Sequence, residues 1–293
     1  MGERIDKIGK ELSERCSMFF NSSGHTRKGC GGINISRSLP SVGEIELVVR
    51  LFRELIFPGH ICDKHCVLKD LEGYISDCLG EFKHRLLHQI KSVLACSTNY
   101  SECECEISAQ SMTDRIIERI PSSQSDLYSD VIALYDGDPA AISLSEIIFC
   151  YPGLLAVSSY RLANILSVLG VPLLPRIISE LAHSKTGIDI HPRATIGRSF
   201  AIDHGTGVVI GATSIIGAHV KIYQGVTLGA KSFPLDDNGN PIKGINRHPI
   251  IEDNVVIYSN ASVIGRITIG KGAVIGANTF VSYDVEPGGK VLR

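Results

Sequence analysis

A chain of 293 residues with 44% hydrophobic content and a formal net charge of -2 has room for one large hydrophobic core or two modest ones. It carries no polybasic run that could neutralise a phosphate backbone or an anionic membrane surface, so nucleic acid and lipid are poor partners. The longest uncharged apolar stretches, Ile147–Tyr160 and Leu162–Pro175, are broken by proline and glycine and fall short of a membrane span.

In chain order, the opening residues Met1-Gly2-Glu3-Arg4-Ile5-Asp6 lack a signal-type apolar stretch, and Asp6 stands where a myristoylation pattern wants Ser or Thr. A cytoplasmic protein is expected. The cysteines cluster early, at Cys16, Cys30, Cys62, Cys66, Cys78, Cys96, Cys103 and Cys105, with Cys150 alone later. Their odd number, without a secretory signal, points to reduced thiols rather than a disulfide framework. His60, Cys62, His65 and Cys66 offer four N/S donors to a zinc ion. Zinc sites, however, pair two short ligand clusters across a longer loop, and no second cluster follows. Small apolar residues on helices and turns are the better reading.

Up to about Thr186 the apolar spacing is helical. Leu68, Leu71, Ile75, Leu79, Phe82, Leu86, Ile90 and Val93 make one stripe along a helix of about seven turns. A polar, irregular connection is expected around 97–111. Ser143-Leu144-Ser145-Glu146 has capping-box spacing, Pro152 suits the first turn of a helix running toward Gly170, and a short helix fits Arg176–Ser184, closed by Gly187.

From Ile188 the period becomes six. Ile190, Ile196, Ile202 and Val208 keep it; after a two-residue phase shift so do Ile210, Ile216, Ile222 and Leu228, and then Ile251, Ile257, Val263, Ile269, Ile275 and Val281. Neither a strand nor a helix produces a six-residue beat, whereas a hexapeptide β-helix does, at three hexapeptides per coil. The expected fold is therefore α+β in separate parts. A helical domain over 1–186, of which 1–50 is open to being flexible, precedes a left-handed parallel β-helix over 187–293. Residues 229–250 break the repeat as a polar loop, and a long excursion from so regular a solenoid is usually functional.

The stretches Gly187-Ile188-Asp189-Ile190-His191-Pro192, Ile202-Asp203-His204-Gly205-Thr206-Gly207, Tyr223-Gln224-Gly225-Val226-Thr227-Leu228-Gly229 and Arg247-His248-Pro249 follow one another at fixed spacing. Upstream stand Tyr135-Asp136-Gly137-Asp138-Pro139-Ala140, Cys150-Tyr151-Pro152-Gly153 and Tyr160-Arg161. Together these motifs closely resemble the serine acetyltransferases, over roughly residues 50 to 293. The resemblance implies transfer of acetyl from acetyl-CoA to the L-serine hydroxyl, as the first step of cysteine biosynthesis from serine. It makes His204 the general base and Asp189 the residue that orients its imidazole. An alcohol attacking a thioester must lose a proton, and an imidazole with a pKa near 6.5 is suited to take it. It further implies Asp138 and Asp203 for the substrate ammonium, Arg247 and His248 for its carboxylate, and Gly229, Ala230, Ser259, Gly276 and Ala277 along acetyl-CoA. For Asp138 a plain turn residue, and for the small residues the needs of tight β-helix corners, are competing readings.

The same resemblance implies β-helices assembled as trimers with sites between subunits, helical domains joining trimers into a hexamer, inhibition by L-cysteine at the serine site, and no metal. Two departures stand out. Ala212 occupies a position where the family usually has glutamate, and Lys290–Arg293 follow the last coil without the isoleucine-ended tail that docks into O-acetylserine sulfhydrylase, so that complex is not expected. The alternatives are another hexapeptide O-acyltransferase acting on a sugar or antibiotic, a zinc-dependent γ-class carbonic anhydrase drawing on His191, His204, His219 and His248, and a non-catalytic scaffold.

Overall fold

The computed structural model describes residues 8–14, 39–61, 70–97, 100–232 and 234–292. Its first part is helical: α1 (residues 8–14), α2 (Val42–Ile56), α3 (Leu71–Ser97), α4 (Glu102–Ile117), α5 (Ile120–Gly137), α6 (Leu144–Cys150), α7 (Pro152–Val168) and α8 (Leu174–Thr186). Polar side chains satisfy the first free N–H groups of several helices. Ser41 caps α2, Ser143 caps α6, and Ser101 with Glu104 forms a reciprocal capping box on α4. The α3 stripe is buried at Cys78, Phe82, Leu86, Ile90 and Val93, with Phe82 against Phe52 of α2. Gly187, in the left-handed conformation at φ 69, ends α8.

The connection expected around 97–111 is short, because α4 begins at Glu102. Its buried face is built from Cys105, Ala109, Thr113 and Ile116, a helical spacing carried mostly by small residues. Within 1–50, α2 already begins at Val42. The Cys62 to Cys66 part of the zinc alternative lies outside the described residues, as do Cys16 and Cys30. Cys78, Cys96 and Cys105 are buried free thiols; Cys103 and Cys150 are exposed ones. Among the described residues no helix is long and apolar enough to cross a membrane.

The second part is a left-handed parallel β-helix. Its described strands are β1 (Asp189–Ile190), β2 (Thr195–Ile196), β3 (Ala201–Asp203), β4 (Val209–Ile210), β5 (Ile215–Ile216), β6 (Lys221–Tyr223) and β7 (Thr227–Gly229). After the loop come β8 (Ile250–Ile251), β9 (Val256–Ile257), β10 (Ser262–Ile264), β11 (Thr268–Ile269), β12 (Val274–Ile275), β13 (Phe280–Val281) and β14 (Lys290–Val291). They stack into three faces: β1-β4-β7-β10-β13 is the first, β2-β5-β8-β11 the second and β3-β6-β9-β12-β14 the third. Register puts like on like, so that Ile190, Ile210, Leu228, Val263 and Val281 form one inward column. Each such buried aliphatic contributes about 1.5–3 kcal/mol relative to exposure.

The helical part is fastened to the first coil by polar contacts. Arg161 of α7 donates from Nε and Nη2 to the Asp130 carboxylate of α5, at 2.7 and 2.9 Å, and Nη2 also reaches the Gly197 carbonyl. Asp130 in turn accepts the Phe200 N–H at 2.9 Å. Tyr160 donates to the Ala194 carbonyl, and Asn164 to the carbonyls of Pro192 and Ala194. Asp130 is fully buried. Removing it strands a buried guanidinium, so Asp130→Ala is expected to cost about 3–5 kcal/mol, read from the urea midpoint. A loss below about 1 kcal/mol would show that packing alone holds the two parts together.

Candidate active site

On the edge between the third and first faces, consecutive inward aliphatics are six residues apart in three coils: Ile222 to Leu228, Ile257 to Val263 and Ile275 to Val281. From Ile202 to Ile210 the gap is eight. A prism of fixed girth has no room for two more residues, so this corner bulges outward. His204 sits on the bulge with φ 57, and its imidazole is 75% exposed.

Beneath it lies Asp203, whose side chain is only 11% exposed. Its Oδ1 is 3.9 Å from His204 Nε2, and its Oδ2 is 3.0 Å from Lys221 Nζ. Lys221 also donates to the Gly137 carbonyl at 2.6 Å and lies 4.5 Å from the Tyr223 ring centre; Tyr223 stacks on Tyr258. The end of α5 thereby reaches the same corner. Asp138 accepts the Ala140 N–H on Oδ1 at 2.8 Å and the Tyr151 hydroxyl on Oδ2 at 2.5 Å. These two bonds, helped by the nearby Lys221 and His204 charges, hold its carboxyl below the usual carboxylate range. The turn reading and the site reading of Asp138 coexist, since the turn bond fixes the direction of the side chain.

Asp189 begins β1 on the neighbouring rung. Gly207 N–H bonds the Gly187 carbonyl at 2.8 Å, and at Gly205, with φ 90, a Cβ would stand 2.4 Å from Ile188 Cδ1. The two rungs therefore share this corner. The two side chains, however, form no hydrogen bond or ion pair in the single chain: the Asp189 carboxylate lies with Glu180 and His183 of α8, their ligand atoms within 4.8 Å of one another. His204 points outward on its bulge while Asp189 is half-buried against α8. Glu180, His183 and Asp189 are the one group of three metal-donor side chains that converge among the described residues, and Glu180 is already engaged by Arg176 and His183.

Arg247 and His248 end the polar loop, at the edge between the first and second faces. Thr213, which sequence reasoning missed, organises them. Its Oγ1 accepts the N–H groups of Arg247 (3.0 Å) and His248 (3.2 Å), and its own N–H bonds His248 Nδ1 at 3.1 Å. With Nδ1 accepting, the Nε2 of the neutral ring carries the hydrogen. The ring packs directly against Gly211, where a Cβ would fall 2.0 Å from it. Arg266 donates to the carbonyls of Thr213 and His248. Burial, then the Arg247 and Arg266 charges, pushes His248 down to about 4. Ala212, where the family resemblance suggests glutamate, is buried beside Gly211 and brings no charge to this edge.

The expected site residues thus fall on two edges of one chain. His204, Asp203, Asp138, Ser259, Gly276 and Ala277 are at the third–first edge; Arg247, His248, Gly229 and Ala230 are at the first–second edge. At Gly276 a Cβ would stand 3.1 Å from the backbone of Leu292, so stacking alone already calls for a small residue there. Of the four histidines considered for a carbonic anhydrase, His191 and His248 share the first–second edge, His204 is at the third–first edge and His219 at the second–third. No three of them meet in one chain.

Comparison with known proteins identifies the family. The family described as Bacterial transferase hexapeptide (six repeats) matches residues 248–282. The plasmid serine acetyltransferase of Synechococcus elongatus is 46% identical over 256 residues, 85% of this chain and 80% of its own. The chain belongs to the serine acetyltransferase family. The serine acetyltransferase of Bacillus subtilis is 46% identical over 159 residues, 54% of this chain and 69% of that protein. Among solved structures, Entamoeba histolytica serine acetyltransferase 1 in complex with L-cysteine superposes with a TM-score of 0.75 at 37% identity, covering 88% of each chain. The Neisseria gonorrhoeae serine acetyltransferase in complex with serine gives 0.56 at 26% identity, over 84% of this chain and 95% of that one. Family membership makes the chain an acyltransferase and disfavours the sugar-acceptor, carbonic anhydrase and scaffold readings.

The neutral His248 has a pH consequence. Its folded pKa lies below that of an unfolded histidine, so between about 6.5 and 4 the unfolded chain binds more protons. The stability that this ring contributes is full above about 6.5 and is lost as pH falls through that window. His248→Gln is expected to flatten the pH dependence of the urea midpoint there; an unchanged slope would mean that the ring titrates normally.

Proposed function

We propose that the chain transfers the acetyl group of acetyl-CoA to the L-serine hydroxyl, giving O-acetyl-L-serine and CoA, in a site completed by a second copy. The observation that carries this reading is the lengthened corner, which projects His204 beside Asp138 and Asp203 at one edge while Arg247 and His248 stand at another. An amino acid needs a carboxylate partner for its ammonium and a basic partner for its carboxylate. One chain offers both, but on separate edges. In a ring of copies about a three-fold axis, the third–first edge of one subunit faces the first–second edge of the next.

In this reading Asp138 and Asp203 hold the ammonium, while the Arg247 guanidinium and the His248 Nε2–H of the neighbouring copy hold the carboxylate. His204 Nε2 accepts the serine hydroxyl proton as the oxygen adds to the thioester carbonyl. The imidazolium then returns that proton to the departing sulfur as the C–S bond breaks, so charge and protons balance. Asp189 is assigned the orienting role, with the exposed imidazole turning toward it across the shared corner. Acetyl-CoA follows the groove between copies, against Ser259, Gly276 and Ala277 of one and Gly229 and Ala230 of the next. L-cysteine, which carries the same amino and carboxylate groups, competes for the serine position; its presence on the Entamoeba histolytica relative supports this. Trimers pair through their helical domains, where the exposed Ile142 and Phe149 offer apolar surface.

The test is CoA release, followed with a thiol reagent, across a panel of acceptors. L-serine is expected to turn over, with kcat reduced about 10²- to 10⁴-fold in His204→Ala. Equal turnover with sugars and none with serine would end the proposal. Asp189→Asn is expected to lower kcat by less than His204→Ala does, and wild-type kcat in that variant would remove Asp189 from the mechanism.

A further inference from the structure

Lys221 belongs to no motif of the sequence, yet at the third–first edge it bridges the two parts of the molecule. Its side chain is 16% exposed, and its ammonium meets three groups from two parts of the molecule: Asp203 Oδ2 at 3.0 Å, the Gly137 carbonyl at 2.6 Å and the Tyr223 ring at 4.5 Å. Burial disfavours its charge, but Tyr223 and Asp203 outweigh that and hold it above its ordinary range. The Gly137 carbonyl is in the last turn of α5, where carbonyls lack helical partners and the helix dipole is negative, a natural seat for a cation. Asp138 is the next residue. At Gly137 a Cβ would lie 3.2 Å from Nζ and 3.4–3.5 Å from the lysine stem, so the absence of a side chain there keeps the path of Lys221 clear.

We propose that Lys221 is the positioning residue of the amine-binding pair: it ties the end of α5 to the β-helix, so setting Asp138 against Asp203, and it occupies Asp203 Oδ2, leaving Oδ1 on the His204 side for the substrate ammonium. This rests on the reading of Asp138 and Asp203 as the ammonium site. Two effects of losing Lys221 oppose one another. The site becomes more negative, which favours an ammonium, and Asp138 is no longer held in place, which disfavours it. The first is reduced, though not abolished, by water at the mouth of the site around His204, since Asp203 itself is only 11% exposed. The second wins, since small misplacements of binding groups cost large factors.

The experiment is steady-state kinetics of the full chain in Lys221→Met, which keeps the stem and removes the charge. The serine KM is expected to rise by about tenfold, with kcat within about threefold and the acetyl-CoA KM unchanged. Gly137→Ala, which keeps the charge but crowds its path, is expected to shift the serine KM in the same direction by a smaller factor, and it carries the test if Lys221→Met does not fold. An unchanged or lowered serine KM would overturn the proposal. Asp138→Asn is measured alongside. A raised serine KM in that variant with none in the lysine variant removes Lys221 alone, whereas no rise in either removes the ammonium site as well.

Discussion

The site depends on one constraint, the stacking of inward aliphatic side chains at a fixed girth. Because Ile190, Ile210, Leu228, Val263 and Val281 sit in register, each coil has the same inner perimeter, and any extra residue must leave the prism at a corner. The chain does this in two ways. A two-residue surplus between Ile202 and Ile210 lifts His204 out of the third–first edge, and the long excursion between Gly229 and Ile250 returns with Arg247 and His248 at the first–second edge. The column thus sets the heights at which these side chains stand.

The helical part supplies Asp138 to the proposed amine site and is held by directional contacts. The buried Asp130–Arg161 fork, with its bonds to Phe200 N–H and the Gly197 carbonyl, fixes α5 and α7 on the first coil. The end of α5 then lies over the third–first edge, where Tyr151 and the Ala140 N–H aim Asp138. On the far edge, Thr213 clamps the loop return, while burial and the Arg247 and Arg266 charges keep His248 neutral, a hydrogen-bond donor from Nε2 rather than a second cation beside Arg247. The prism keeps these two sets of groups on separate edges of one chain, which is why the proposed site needs a second copy.

The β-helix was legible because no other regular structure repeats every six residues, and the site was marked by the break in that beat: the phase shift after Val208 is the bulge that carries His204. Much of the helical part was legible from large aliphatics at helical spacing. The start of α4 was not, because Cys105, Ala109 and Thr113 bury a face that looks polar in sequence, although Ser101 and Glu104 announced its cap. Asp138, Asp203 and His204 became candidates through the family resemblance of their local motifs, and the structure places them at one corner. Lys221 and Thr213 could not be found that way, since they act on residues 84 and 34–35 positions away and no local pattern encodes those contacts. Nor does a spacing of fifteen residues between Asp189 and His204 determine where an exposed imidazole points.

The central claim is that a working site draws His204 from one copy and Arg247 from another. Its most direct test is to co-assemble His204→Ala chains with Arg247→Gln chains and measure turnover at subsaturating serine. Each variant alone is expected to be nearly inactive, and the mixed assemblies are expected to regain up to about a quarter of wild-type activity, from sites that receive an intact residue from each chain. Mixtures no more active than the sum of the separate variants would place both residues in a site made by one chain and contradict the account.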